Sequence, residues 1–423
     1  MANYLRISRY LSLLCYLLLL QRQVTGQSTY YNRSYFSEYV EVLAIVPYDT
    51  SGSVMVAYNT MGPGRPVGIS KFDAYGNEVA RHIKHRGAAS DSLFWITYNS
   101  LTWVHNNYYA LCGTVEGSFG KGGFVYVVDS NCNVIKFKEF LDPFDAVTNR
   151  KPMECIASDS FGHLLVTGLT RDAGTGKQVP ILYKLDTALN LLWERTYVFP
   201  EQLSLTAARG ITVERDTYLV YGLTSNNTPM DFNSFRGKVM CIATDTSGAK
   251  AWHYINPGGF YRDNQAGTFS FIRCRDGGFA YAAKGGIFNK YPLDGDPGRY
   301  YAYGTLCRLD EARRYKWNTY MDKVVSHIGG GGWVYELDDG SFAYLGSVVL
   351  DSSKSTPYGE QKVSALLRVS ASGVLLGPGK QLPPPRDPGD TSRNSFVVMR
   401  NICRMADGSF TVCGGYGNRT AMT

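Results

Sequence analysis

Apolar and polar residues alternate along this chain in short runs rather than in helical stripes. Gly162–Val198 shows the unit most fully: GHLLVTGLTRDAGTGKQVPILYKLDTALNLLWERTYV. An apolar run ends in Gly168, a polar loop follows, Ile181–Leu185 closes on Asp186, and Leu191–Val198 carries Trp193 in a second alternating pattern. Runs of this length, rich in β-branched and aromatic side chains and bounded by Gly, Asp and Asn, predict strands. With the run before Gly162, each unit holds four strands and cannot cover its own faces. Radial stacking about an axis would cover them.

The unit recurs. The residue ending its second strand is followed as Tyr58, Gly113, Gly168, Gly222, Ala283, Gly346 and Gly414, in steps of 55, 55, 54, 61, 63 and 68 residues. The residue closing the third strand runs Asp73, Asp129, Asp186, Asp245, Asp310 and Ser370. Trp193, Trp252 and Trp317 each fall seven residues after their Asp, and Gly76, Gly248 and Gly373 three after theirs. A Gly at that offset suits a tight hairpin that needs positive φ. The expected fold is all-β: a single β-propeller of seven four-stranded blades, with the three Trp buried at equivalent heights on fourth strands. The seventh set has two strands, Phe396–Cys403 and Phe410–Gly414. Gln27–Tyr39 (QSTYYNRSYFSEY) is the expected donor that closes this last blade, within its own molecule or from a neighbour. Donation to a neighbour would build a homo-oligomer or filament through residues 27–39.

The N-terminus adds a compartment. Arg6 and Arg9 flank Leu11–Leu20, and Val24-Thr25-Gly26 gives a small-residue cleavage pattern, so residues 1–26 read as a secretory signal peptide and 27–423 as the propeller domain. Ten apolar residues are too few for a membrane span. The whole chain is +7, and without Arg6, Arg9 and Arg22 it is +4. That mild charge, with no Lys/Arg cluster, is not a nucleic-acid footprint. Eight cysteines follow the signal, an even count that suits disulfides in an oxidising compartment. Cys403 and Cys413 straddle the Asp407-Gly408 turn and are the expected pair across a hairpin; the alternative is two buried free thiols. Asn32, Asn226 and Asn418 are glycosylation sequons, and there is no CxxC to hold zinc.

The first–second and third–fourth connections are tight and share one face, so the long second–third and fourth–first connections share the other. Rigid scaffolds carry binding residues on such loops. Asn256–Ala266 offers Phe260, Tyr261, Arg262 and Asp263; Gly285–Gly304 offers Tyr291, Tyr300 and Tyr301. Rings beside polar groups suit a glycan or a protein partner, and equally suit packing of the loops on one another. Catalytic and cofactor motifs are missing: no HExxH, GxSxG, P-loop or GxGxxG. Asp294-Gly-Asp296 is a fragment of a calcium loop without its later ligands. The cofactor expectation is none, with calcium as its alternative.

Ile181-Leu-Tyr-Lys-Leu-Asp186 with Leu192-Trp193, and Arg275-Asp-Gly-Gly-Phe279, resemble the DGG-[FY] and KLD-x-x-G-x-x-x-W repeats of secreted bacterial propellers. Ala243-Thr-Asp245, Gly248 and Trp252 are similar to quinoprotein-type repeats, one residue shorter between Asp and Trp. The resemblance implies fold and export. It carries over no cofactor residue and so implies no dehydrogenase chemistry. The functional expectation is a secreted binding or structural module, its extracellular protein or glycan partner held on the long-loop face. Two alternatives stand beside it: a glycan-active or other hydrolytic enzyme at the mouth of the axis, and a subunit of an extracellular homopolymer.

Overall fold

The structure is a computed structural model that describes residues 40–50, 52–60, 66–84, 93–97, 99–117, 120–141, 153–201, 205–225, 237–256, 266–288, 300–321, 332–349, 362–377, 380–382 and 396–417. Regular structure among them is all strand. The first sheet holds β1 (Val40–Pro47), β2 (Val54–Thr60), β3 (Val67–Phe72) and β4 (Glu78–Lys84). In the second, β5 (Leu93–Trp95) and β6 (Leu101–Val104) are two pieces of one broken first strand, both paired with β7 (Tyr108–Gly117), before β8 (Gly120–Val128) and β9 (Val134–Leu141). The third comprises β10 (Met153–Ser158), β11 (Leu164–Arg171), β12 (Gln178–Leu185) and β13 (Leu191–Thr196). The fourth comprises β14 (Leu205–Glu214), β15 (Thr217–Ser225), β16 (Gly237–Thr244) and β17 (Lys250–Ile255). A single parallel bridge, Gln178 to Leu205, links these two. Next come β18 (Ala266–Arg273), β19 (Phe279–Phe288), β20 (Tyr300–Leu309) and β21 (Tyr315–Met321). The sixth has β22 (Trp333–Glu336), β23 (Phe342–Val349), β24 (Lys362–Val369) and β25 (Lys380–Leu382). Last, β26 (Phe396–Arg404) pairs with β27 (Phe410–Gly417). Residues 27–39, the expected closing arm, lie outside the described residues.

The core sits between sheets, in clusters each shared by two neighbours. Met55 and Ile69 of the first sheet pack with Phe94 and Phe124 of the second. The same holds down the chain: Cys112 with Val166, Leu182 with Tyr218, Cys241 with Phe271, Leu306 with Tyr344, and Leu345 with Ile402. One more cluster joins Ile45 and Val56 of the first sheet to Cys403 and Met405 of the last. The packing order is therefore cyclic.

The repeated Asp is a turn holder. Asp73, Asp129, Asp186 and Asp245 each accept, on Oδ1, the N–H two and four residues on, at 2.7–2.9 Å. The N–H of Asn190 lowers the Asp186 carboxyl below its ordinary range, and the Ser247 hydroxyl does the same for Asp245. Three residues after each of these, and after Asp310 and Ser370, the backbone turns left-handed: Gly76, Cys132, Leu189, Gly248, Arg313 and Gly373 have φ between 63° and 87°. This is the three-residue hairpin loop with one left-handed residue and a bulge. The structure extends the sequence pattern here, because Cys132, Leu189 and Arg313 take a conformation that the Gly offset had suggested for glycine alone.

Trp193, Trp252 and Trp317 do occupy equivalent positions, opposite Lys184, Ala243 and Arg308 with a bulge just beyond each. Full burial is corrected: all three are half-buried, because fourth strands form the outer edge of their sheets. Each ring covers the third–fourth turn of the following sheet. Trp193 lies on Gly248 and Trp317 on Gly373, while the Arg313 guanidinium sits 4.7 Å above the Trp252 ring.

Candidate functional site

First strands begin at the edge reached by the long connections, and most of those connections fall outside the described residues. So do Phe260, Tyr261, Arg262, Asp263, Tyr291, Asp294, Asp296 and the sequons Asn32, Asn226 and Asn418. Tyr300 and Tyr301 are placed, and differently from expectation. They are not loop residues: β19 and β20 stay paired out to Ile287 with Tyr301 and Phe288 with Tyr300. Gly285 and Gly286, expected to open the long connection after Ala283, lie within the ladder, opposite Tyr303 and Ala302.

The expected pairing of Cys403 and Cys413 across a hairpin is likewise corrected. The five-residue turn between Arg404 and Phe410 sets the register, so Cys403 faces Thr411 and Cys413 faces Asn401, two residues out of step. Both are free thiols. Burial pushes Cys403 up to about 12 and Cys413 well above its ordinary value.

What the described residues do place is a polar circuit that links the first strands from sheet to sheet. Asn59 exchanges bonds with the Ile96 backbone at 3.2 and 3.3 Å. The break between β5 and β6 carries Thr97, whose hydroxyl donates to the Glu154 carbonyl, and Asn99, in a left-handed conformation at φ 61°. Asn99 accepts the Ile156 N–H at 3.0 Å and donates to the Arg209 carbonyl at 2.9 Å, tying the second sheet to the third and fourth. Onward, Thr212 donates to Phe271 and Ser270 to Val334, both at 3.2 Å. Tyr335 then donates to Ile402 at 2.8 Å, and Asn401 to Leu43 at 3.4 Å.

Two members of this circuit are charged, and β-bulges aim them. Glu154 is the extra residue between Met153 and Cys155, and Arg209 that between Ala208 and Gly210. Bulges re-aim side chains in this way. Their charges meet at 3.5 Å, with side chains 9% and 14% exposed, so the pair is largely out of water. Burial raises Glu154 above the ordinary carboxylate range, and Arg209 offsets only part of that. Sequence reasoning missed both residues. The available signal was a charge inside an otherwise apolar first strand, Met153-Glu154-Cys155-Ile156 and Ala207-Ala208-Arg209-Gly210-Ile211.

Among the described residues no group of three or more His, Cys, Asp or Glu side chains is arranged to hold a metal ion. No helix among them is long and apolar enough to cross a membrane.

No family model matches the chain, and no curated protein does. Among solved structures it is similar to a protein of unknown function from Dyadobacter fermentans, 10% identical over 78% of this chain and 96% of that one, with a TM-score of 0.47. A variant of the Synechocystis apocarotenoid oxygenase is 11% identical over 91% of this chain and 87% of its own, with a TM-score of 0.43. Sqt1 from Chaetomium thermophilum is 10% identical over 89% and 95%, with a TM-score of 0.44. These likenesses assign neither a family nor an activity to the chain.

Proposed function

We propose that the chain is a secreted seven-bladed β-propeller, its last blade completed by residues 27–39, that works as an extracellular binding module. The observation that carries the reading is the asymmetry of the two edges. Turns at 73–77, 129–133, 186–190, 245–249, 310–314 and 370–374 close in a few bonded residues, as do those at 159–163, 274–278, 337–341 and 405–409. The longest connections, among them 226–236, 289–299, 350–361 and 383–395, join strand ends at the opposite edge. A scaffold locked by a circuit of inner-strand bonds, with its variable length on one edge, suits recognition of a protein or glycan there. The export signal and the three sequons supply the compartment.

The hydrolytic alternative calls for two carboxyl groups roughly 5–10 Å apart at the inner strands. Glu154 is a buried carboxyl at that place, and its partner is a guanidinium, which favours a structural role. The test uses residues 27–423 on a glycan array and on a panel of secreted and cell-surface proteins. Tyr261→Ala with Arg262→Ala is expected to abolish the leading interaction and leave the melting temperature within about a degree, as surface changes do. Binding unaffected by the double variant would remove the long-connection edge from the reading.

A further inference from the structure

The tight-turn edge carries a feature of its own. Where three of the first–second turns have an aspartate before their left-handed glycine (Asp276, Asp339 and Asp407), the third sheet has Phe161, 73% exposed. Those aspartates cap their turns by accepting the N–H two residues on. In the third sheet the capping has moved to Asp159, whose Oδ1 accepts the N–H of both Phe161 and His163 at 2.9 Å.

Asp159 and His163 of this turn take part in an ion cluster with buried Lys184 and Tyr218. Oδ2 of Asp159 takes Lys184 Nζ at 3.0 Å and the Tyr218 hydroxyl at 3.3 Å, and Lys184 Nζ also donates to that hydroxyl at 2.9 Å. Nδ1 of His163 stands 3.1 Å from the same oxygen. Burial alone would raise Asp159, but bonds from Lys184 and His163 outweigh it and hold the carboxyl below its ordinary range. Desolvating a lysine and a carboxylate is costly. What the cluster fixes is the tip of a turn that shows a phenylalanine to water.

A second turn adjoins it. Gly162 lies against His105, and Ser158 Oγ donates to the Trp103 carbonyl at 2.6 Å. Asn106 and Asn107 are both left-handed, at φ 61° and 59°. Beside them Tyr108 is 38% exposed; it pairs with Val104, which packs toward the third sheet, whereas Trp103 pairs with Tyr109 on the opposite face. On the side of the third sheet the two turns thus present the exposed rings of Phe161 and Tyr108 with two side-chain amides, and no lysine, arginine or carboxylate is exposed among Trp103–Tyr108 and Ser160–His163.

We propose that these two touching turns bind an uncharged oligosaccharide. Rings fixed in place can stack on the C–H faces of sugars, and the amides of Asn106 and Asn107 can bond hydroxyls, at little ordering cost because both turns are already set. The absence of exposed ions at the turns selects an uncharged ligand. A handful of residues is also small beside the roughly 20–30 per side of a standard protein interface. This site is independent of the one placed on the long-connection edge.

Saturation-transfer NMR with cellotetraose, mannotetraose and galactotetraose, and an acidic hyaluronan tetrasaccharide for contrast, tests the proposal on residues 27–423. At least one neutral tetrasaccharide should receive saturation at its ring C–H protons. Phe161→Asp, which restores the residue that other turns carry, should fold normally and weaken binding about tenfold or more; Tyr108→Ala should weaken it too. Tyr261→Ala with Arg262→Ala should leave it unchanged, which separates this site from the other edge. Saturation of none of the neutral sugars, of the acidic one alone, or to the same degree in Phe161→Asp would overturn the proposal.

Discussion

Gly248→Ala tests how one unit is locked to the next. Gly248 has φ 81°, where an L side chain costs about 1–2 kcal/mol. Its Cβ would also fall 2.9 Å from two atoms of the Trp193 ring and from Arg195 Cγ, closer than real contacts allow. Overpacking of this kind adds about 1–3 kcal/mol. The expected total is therefore about 2–5 kcal/mol in urea-denaturation midpoints. Gly340→Ala is the control: its φ is 77°, with nothing within 4 Å of the added carbon, so only the backbone strain remains. In a Trp193→Ala background the cost of Gly248→Ala should fall toward that of Gly340→Ala, leaving the part due to Arg195 Cγ, a coupling of about 1–2 kcal/mol in a double-mutant cycle. Equal costs for the two glycine changes in the wild-type chain, or a coupling near zero, would refute the idea that each fourth-strand Trp seats on the next turn.

Glu154→Gln should change how stability depends on pH. Because the folded Glu154 binds its proton more tightly than an unfolded glutamate, its contribution is full below the ordinary value near 4.3 and is lost as pH rises through the raised one. The variant should thus gain on the wild type between pH 4 and pH 7.5, read from paired thermal melts; a constant difference would mean that Glu154 titrates normally. Iodoacetamide without reductant should leave Cys403 and Cys413 unlabelled in the native protein and label both after denaturation, followed by peptide mass spectrometry. A 403–413 disulfide in the peptide map would contradict the register.

The parts of this fold that the sequence announced are those whose cause is local. Asp186 accepts N–H groups two and four residues away and Gly248 answers a backbone demand three residues after Asp245, so both recur at fixed offsets. The halves that depended on the partner strand were not legible. Gly285-Gly286 reads as the start of a connection, yet the ladder continues through it because β20 supplies the partner groups. Nor did the sequence mark which tyrosines are core: Tyr58, Tyr109, Tyr218, Tyr281 and Tyr344 are all below 2% exposed. Several fill the space over a glycine: Tyr58 lies over Gly68 opposite it, Tyr221 over Gly210, and Tyr344 over Gly304 and Gly332. A Tyr–Gly pair of that kind joins residues distant in the chain, and no spacing rule marks it.

The same distinction bears on how neighbouring sheets hold together. In a linear array each unit answers only to its neighbours, and the two ends fray independently. Here the recurring contact has a direction, since a fourth-strand ring reaches forward onto the following turn. That device needs an outer strand, and the last sheet meets the first by other means. Ile45, Val56 and Tyr58 share a cluster with Cys403 and Met405, and Asn401 donates to the Leu43 carbonyl. Closure between the described residues therefore rests on inner strands, with Asn401 next to an irregularity in β26 and Leu43 at one in β1. The third–fourth junction adds a bulge-borne charge pair, Glu154 with Arg209, to the same inner circuit. Register irregularities on first strands thus serve one purpose at both places: they turn a side chain or carbonyl out of its own ladder and toward the neighbouring sheet.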